Sequence, residues 1–187
     1  MRVIAGTFKS RRLRTLRGRE LRPTSDRLRE TLFDILGDSV RDAVFIDLFA
    51  GTGAIGIEAL SRGARRVVVV EKHPLAVQLI RDNLKSLEIT KGAEILPMDA
   101  TRSLEKIASQ HARADFIFLD PPYAQAGEYE QVLEFIGSAD ILSATGIVIA
   151  EHAKKLELPM FAESLERSRV VVQGDSALSF YRMAKAA

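Results

Sequence analysis

The chain has 187 residues, 47% of them hydrophobic and 28% charged, with no cysteine and no tryptophan. That length suits one compact domain able to bury roughly 70% of its unfolded surface, and the missing thiols exclude a disulfide framework, thiolate-held zinc or iron–sulfur, and a cysteine nucleophile. The net charge of +2 hides an asymmetry: of 27 basic and 25 acidic side chains, residues 1–30 hold ten and three, leaving 17 and 22 for the rest. A basic segment on an acidic body is suited to gripping a polyanion. No apolar run reaches the roughly 18 residues of a membrane span, and Met1-Arg2-Val3-Ile4-Ala5-Gly6 lacks a signal peptide's apolar region, so a cytoplasmic protein is expected.

In chain order, residues 2–8 and 11–16 read as short strands around Lys9-Ser10, an arginine-rich hairpin. Residues 1–22 are expected to form this basic arm, and 23–187 the remaining domain. Pro23 ends the arm, and Thr24 or Ser25 can cap a helix whose Leu28, Leu32, Ile35 and Leu36 make one apolar stripe, with Gly37 as its stop. From residue 43 onward, β-branched runs alternate with helical patterns, the signature of a parallel sheet with crossover helices. Strands are predicted at 44–48, 66–71, 93–98, 115–119 and 146–151, and the clearest helix at 74–87, with Pro74 in its first turn. Residues 167–173 and 178–184 are joined by too few residues for a crossover and must pair antiparallel. The predicted architecture is therefore a single α/β, Rossmann-like domain: a mostly parallel, seven-stranded sheet with a C-terminal antiparallel strand.

The first candidate site follows the strand at 44–48. Asp47-Leu48-Phe49-Ala50-Gly51-Thr52-Gly53-Ala54-Ile55-Gly56 opens a helix and contains G-x-G-x-x-G, a pattern that by itself also fits dinucleotide binding. Glu71 ends the next predicted strand 20 residues after Gly51, where a carboxylate can take ribose hydroxyls. Asp47 is expected at the ligand edge of its strand. Like charges about 4 Å apart repel by about 4 kcal/mol at an effective dielectric of about 20. Such an edge disfavours a pyrophosphate and favours S-adenosylmethionine, which carries an ammonium and a sulfonium. Asp99, after the third strand, is placed to accept from the adenine amino group.

The second candidate is Asp120-Pro121-Pro122-Tyr123, directly after the fourth strand. Ligands of parallel α/β sheets bind beyond the carboxyl ends of the strands, so this segment is expected to face the same crevice as the glycine loop. Its prolines remove two amide donors, leaving the Asp120 carboxylate, the Pro121 carbonyl and the Tyr123 ring, a set that suits a planar group with an NH₂ edge. Acceptors on both amine hydrogens would turn the nitrogen lone pair toward a methyl donor, and Tyr123 would stack on the extruded base.

These residues resemble class I S-adenosylmethionine-dependent methyltransferases of the amino-group type, in which D/N-P-P-Y/F follows the fourth strand. The chain is more narrowly similar to the bacterial 16S rRNA (guanine-N2)-methyltransferase family. That likeness is carried by Arg22-Pro23-Thr24-Ser25-Asp26-Arg27-Leu28-Arg29-Glu30, the 47–56 loop with Glu58-Ala59-Leu60-Ser61-Arg62-Gly63-Ala64, Asp120 to Tyr123, and Gly174-Asp175-Ser176-Ala177-Leu178. The resemblance implies a cofactor site of Asp47, Gly51, Thr52, Gly53, Glu71, Lys72, Asp99 and Ala100. It also implies that Asp120, Pro121, Pro122 and Tyr123 hold the target guanine, and that Arg11, Arg12, Arg14, Arg17 and Arg22 grip the RNA. The implied partner is 16S rRNA, in the small subunit or an assembly intermediate, and a monomer is expected. His73, His111 and His152 lack metal spacing, so no metal site is expected; His73 reads as exposed, or else as part of the cofactor rim.

Three other readings remain open on the residues alone. D-P-P-Y is shared with enzymes that methylate DNA adenine N6, although no target-recognition domain is evident. A dinucleotide oxidoreductase fits the glycine loop but not Asp47. A non-catalytic RNA-binding module leaves the acidic residues and the Asp-Pro-Pro-Tyr segment unexplained.

Overall fold

The computed structural model describes residues 1–15, 25–122 and 127–184. Two compact units divide at Asp99/Ala100. In the first, helix α1 (Asp26–Leu36) starts where Ser25 Oγ accepts the Leu28 N–H at 3.1 Å and stops at Gly37, whose φ of 53° and N–H bond to Phe33 close it. A 3-10 turn (Gly37–Val40) leads to strand β1 (Val44–Leu48), helix α2 (Ala54–Ser61), strand β2 (Arg66–Val70), helix α3 (Pro74–Ser86) and strand β3 (Ala93–Leu96). The strands are parallel in the order β3-β2-β1. Val67 to Val70 are all buried, as expected of a strand covered on both faces.

The second unit contains helix α4 (Ala100–Ser109), strand β4 (Ala114–Leu119), helix α5 (Gly127–Ser138) and strand β5 (Leu142–Ala153), followed by β6 (Phe161–Ala162), β7 (Leu165–Gln173) and β8 (Ser176–Met183). Its order is β4-β5-β8-β7-β6, with β4 and β5 parallel and the later pairings antiparallel. Residues 167–173 and 178–184 therefore pair as predicted. The expected seven strands with one C-terminal antiparallel strand are corrected to eight described strands with three antiparallel pairings. The extra strand, β6, has two residues, too few to carry an alternating pattern. Strand β5 also runs past both ends of the predicted 146–151, through a register shift between Ala114 and Phe116.

The predicted N-terminal strands are corrected as well. Over residues 1–15 the only β pairing is one isolated bridge, Arg2 to Arg12. The cause is competition for amides: Ile4 and Ala5 N–H donate to Glu58 at 2.8 and 3.0 Å, and Phe8 and Thr7 N–H donate to the hydroxyl and carbonyl of Ser61. These amides bond to α2, while the Val3, Ser10 and Leu13 N–H groups donate across the arm to the Arg11, Val3 and Met1 carbonyls, so the two sides meet in a short hairpin contact around the Arg2–Arg12 bridge and not in two full strands. Gly6, at φ 81°, lies so close that an added Cβ would sit 1.8 Å from the Ser61 carbonyl oxygen, which reserves the position for glycine. Residue 16 and the rest of 16–24 lie outside the described residues.

Candidate functional site

In the first unit the chain leaves β1 through Phe49 (φ 63°), Gly51 (φ 56°) and Gly53 (φ 75°) before entering α2. Left-handed conformations at three of five residues make a sharp strand-to-helix turn, and the bulky Phe49 in that region is the strained member. Side chains from below hold the turn. Gly51 N–H donates to Glu71 Oε2 at 2.9 Å, and the other oxygen of Glu71 accepts His73 N–H at 2.7 Å. Gly56 N–H donates to Asp47 Oδ2 at 2.9 Å. An added Cβ on Gly56 would meet Val67 and Val69 methyls at 3.0 and 3.2 Å, so this glycine brings α2 close to the sheet. At Gly51 an added Cβ would meet nothing within 4 Å, so the loop is open on that side.

The structure thus brings Gly51 and Glu71, which the sequence placed on the same side of the sheet, into direct contact. Asp47 is placed otherwise. It was expected at the ligand edge, yet it is 1% exposed and directed at the first turn of α2. Burial pushes its pKa up to about 7; the Gly56 N–H opposes that shift, and the neighbouring charge of Glu71 adds to it. Asp47 shapes the loop from beneath, and the accessible acid is the half-exposed Glu71. Thr52 and Asp99 are half-exposed, Lys72 is exposed, and Gly53 is buried. Asp99 stands three residues beyond the end of β3, after a tight Met98-to-Leu96 turn. His73 caps α3, its Nδ1 accepting Leu75 N–H at 3.3 Å.

In the second unit, Ala100 is buried at the start of α4. Asp120 follows β4 half-exposed, Pro121 is buried and Pro122 exposed. Tyr123 lies outside the described residues, as do Arg17 and Arg22. His152 is buried, with Nε2 2.8 Å from Ser179 Oγ and Nδ1 2.9 Å from the Ala153 carbonyl, and burial lowers its pKa. Among the described residues there is no group of three or more His, Asp or Glu able to hold a metal, and no helix long and apolar enough to cross a membrane.

Of the arm's candidate contacts, Arg11, Arg12 and Arg14 are all exposed. Arg11 donates to the Ser86 carbonyl at 2.6 Å, and Arg14 stands 3.6 Å from Asp82. Sequence reasoning missed the residues that anchor the arm. Glu58, fully buried in α2, accepts Ile4 and Ala5 N–H, receives Arg62 Nε at 2.9 Å, and lies 4.0 Å from Arg29 Nε. Arg29, equally buried, donates to the Arg2 carbonyl and to Asp26. Asn83 in α3 bonds the backbone of Arg14. The available signal was a polar residue within an otherwise apolar helical face: Glu58 among Ile55, Ile57 and Ala59, and Asn83 among Leu79, Ile80 and Leu84.

Comparison with known proteins adds a consistent result. A family model described as "Conserved hypothetical protein 95" matches residues 1–182. A Bacillus subtilis (strain 168) protein named "Putative rRNA methyltransferase YlbH" is 37% identical over 97% of this chain and 98% of its own length. "Ribosomal RNA small subunit methyltransferase D" of Escherichia coli (strain K12) is 31% identical over 97% of this chain and 89% of its own. The solved structure of a hypothetical protein from Thermus thermophilus superposes with a TM-score of 0.85 at 30% identity, covering 98% of this chain and 99% of that one.

Proposed function

We propose, since the chain belongs to the "Conserved hypothetical protein 95" family and is a class I S-adenosylmethionine-dependent methyltransferase related to bacterial rRNA methyltransferases, that it methylates the exocyclic N2 amine of a guanine in 16S rRNA. Two relatives named for rRNA methylation, each aligned over nearly the whole chain, support the substrate class. The single observation that carries the cofactor reading is the Glu71 to Gly51 hydrogen bond at 2.9 Å. It fixes an acid from the end of one strand against an open glycine turn on the next, the arrangement a nucleoside with ribose hydroxyls requires.

The residues present fit S-adenosylmethionine: Gly51 is open, and each Glu71 oxygen retains a lone pair after accepting one amide. That cofactor supplies an electrophilic methyl group on a sulfonium. Glu71 would hold its ribose, Asp99 would accept from its adenine amino group, and Thr52, Gly53, Lys72 and Ala100 would complete the rim. Asp47 contributes by holding Gly56 and the turn in place. At the other substrate, the Asp120 carboxylate and the Pro121 carbonyl would accept the two hydrogens of the guanine amine, aiming the nitrogen lone pair outward while Tyr123 stacks on the base. The amine becomes acidic as its new bond forms, so the Asp120 carboxylate or an adjacent water can take the departing proton. Pro122 has no N–H to compete for these acceptors. The exposed arginines Arg11, Arg12 and Arg14, with Arg17 and Arg22, would grip phosphates of the rRNA in the small subunit or its assembly intermediate.

Asp120→Ala tests this reading. Methyl transfer to 16S rRNA should fall by about 10²–10³-fold, the usual effect of removing one oriented polar group. S-adenosylhomocysteine should still bind by calorimetry. Unchanged turnover would overturn the assignment, and digestion of labelled product to nucleosides should give N2-methylguanosine, whereas N6-methyladenine from DNA would redirect the substrate.

A further inference from the structure

Asn83 is fully buried on α3, and its carboxamide joins two segments far apart in the chain. Its Oδ1 accepts the Arg14 N–H at 2.8 Å, while its Nδ2 donates to the Arg14 carbonyl at 3.2 Å and to the Thr52 carbonyl at 3.1 Å. The orientation of the amide is determined, because turning it over would set NH₂ against the Arg14 N–H and an oxygen against two carbonyls. A second link lies beside the first: the Thr52 hydroxyl donates to Met1 Sδ at 3.7 Å, and the Met1 carbonyl accepts Leu13 N–H at 3.2 Å. Thr52 sits between Gly51 and Gly53, and an added Cβ on Gly53 would already be 3.2 Å from Ile80 of α3. The loop has little slack against this helix.

We propose that Asn83 is a positioning residue that couples the basic arm to the glycine loop, so that filling the loop with cofactor strengthens the arm's hold on RNA, and RNA strengthens cofactor binding to the same degree. The proposal rests on the reading above, in which the loop holds S-adenosylmethionine and the arm holds rRNA. Asn83 is fully buried and its carboxamide is bonded to protein backbone, so its part is to position other groups. Its three hydrogen bonds make the order of one segment depend on the order of the other, so the ligand that binds first has already fixed part of what the second must fix. Thermodynamic reciprocity then requires equal coupling in both directions.

The test uses the full chain, S-adenosylhomocysteine as cofactor probe and a labelled 16S rRNA fragment at one salt concentration. In the wild type, the probe should tighten RNA binding by about 5-fold or more, the low end of ordinary coupling. In Asn83→Ala that ratio should fall to about one. Arg14→Ala removes a charge but keeps the Arg14 backbone bonds, so RNA should bind more weakly with and without the probe while the ratio persists. Hydrogen exchange on the wild type gives a readout that needs no variant: the probe should slow exchange of the Arg14 amide. A wild-type ratio of one, a full ratio in Asn83→Ala, or an Arg14 amide indifferent to the probe would each overturn the coupling. Failure to bind S-adenosylhomocysteine or RNA at all would overturn the functional reading beneath it.

Discussion

The glycine loop and the arm are both held by polar side chains from the elements beneath them, yet they turn opposite groups outward. In the loop, acids face inward: Asp47 is buried on the Gly56 amide, and Glu71 grips the Gly51 amide from a half-exposed position. What remains open is backbone, together with the remaining lone pairs of one carboxylate. In the arm the backbone is tied down, by Glu58, Ser61 and Asn83, while the guanidinium groups of Arg2 and Arg12 stay exposed. The contrast separates position from charge. Removing an arm arginine should leave the arm in place, whereas removing a buried acceptor should release the arm with its arginines intact.

The strongest way to break this contrast is Glu58→Gln. The amide keeps one acceptor but deprives the buried Arg29 of its nearby buried charge. Burial already lowers the Arg29 pKa, with the Glu58 and Asp26 charges opposing that shift, and two of its nitrogens, Nε and Nη1, have no hydrogen-bond partner among the described residues. Stripping one member from such a buried pair costs about 3–5 kcal/mol, to be read by urea unfolding. A loss below about 1 kcal/mol, with arm amides still protected from exchange, would mean that the arm is anchored elsewhere.

Asp47→Asn sharpens the loop side of the comparison through pH. The folded pKa of Asp47 is raised from 3.8 to about 7, so between those values the folded state holds a proton that the unfolded chain has lost. Stability from this group is therefore full below about pH 4 and falls as pH rises toward 7, by at most about 1.4 kcal/mol per pH unit. Asparagine retains the acceptor for Gly56 N–H and removes the titration. The melting temperature of the variant should gain on the wild type from pH 4 to pH 7 and hold that gain above it. Parallel curves across the range would place the carboxylate in contact with water.

This burial also marks the limit of what the sequence could tell. The loop, its neighbouring strands, the Ser25 cap and the Gly37 stop were legible because glycine spacing and hydrophobic period report local backbone geometry directly. That Glu71 falls at the strand end beside the glycine loop was legible for the same reason, since one crossover unit fixes how far apart two adjacent strand ends fall in sequence, whereas its hydrogen bond to the Gly51 N–H was not. Whether Asp47 faces a ligand or a helix terminus depends on a side-chain direction that spacing does not encode. The arm misled for another reason. Its two sides do meet at Val3, Ser10 and Leu13, but the amides of Ile4, Ala5, Thr7 and Phe8, which longer strands would pair, are taken by Glu58 and Ser61, residues more than fifty positions away. Such long-range capture of backbone leaves only a faint trace, an acid inside an apolar helix.

The smallest effect expected is also the most specific to the arm. Arg12 is exposed and makes no ion pair or side-chain hydrogen bond among the described residues, whereas Arg14 has Asp82 beside it and Arg11 the Ser86 carbonyl. An unengaged guanidinium gives up nothing within the protein when it meets a phosphate, so among the three it should contribute most to RNA binding. Arg12→Ala should leave the melting temperature unchanged, because the bonds that dock the arm are backbone bonds. It should weaken RNA binding modestly and reduce the steepness of log K against log salt by about one, the signature of one lost phosphate contact. An unaltered slope, or a smaller loss than Arg14→Ala gives, would show that exposure does not identify which arginines meet the RNA. Backbone docking and phosphate contact would then have to be assigned to the same residues.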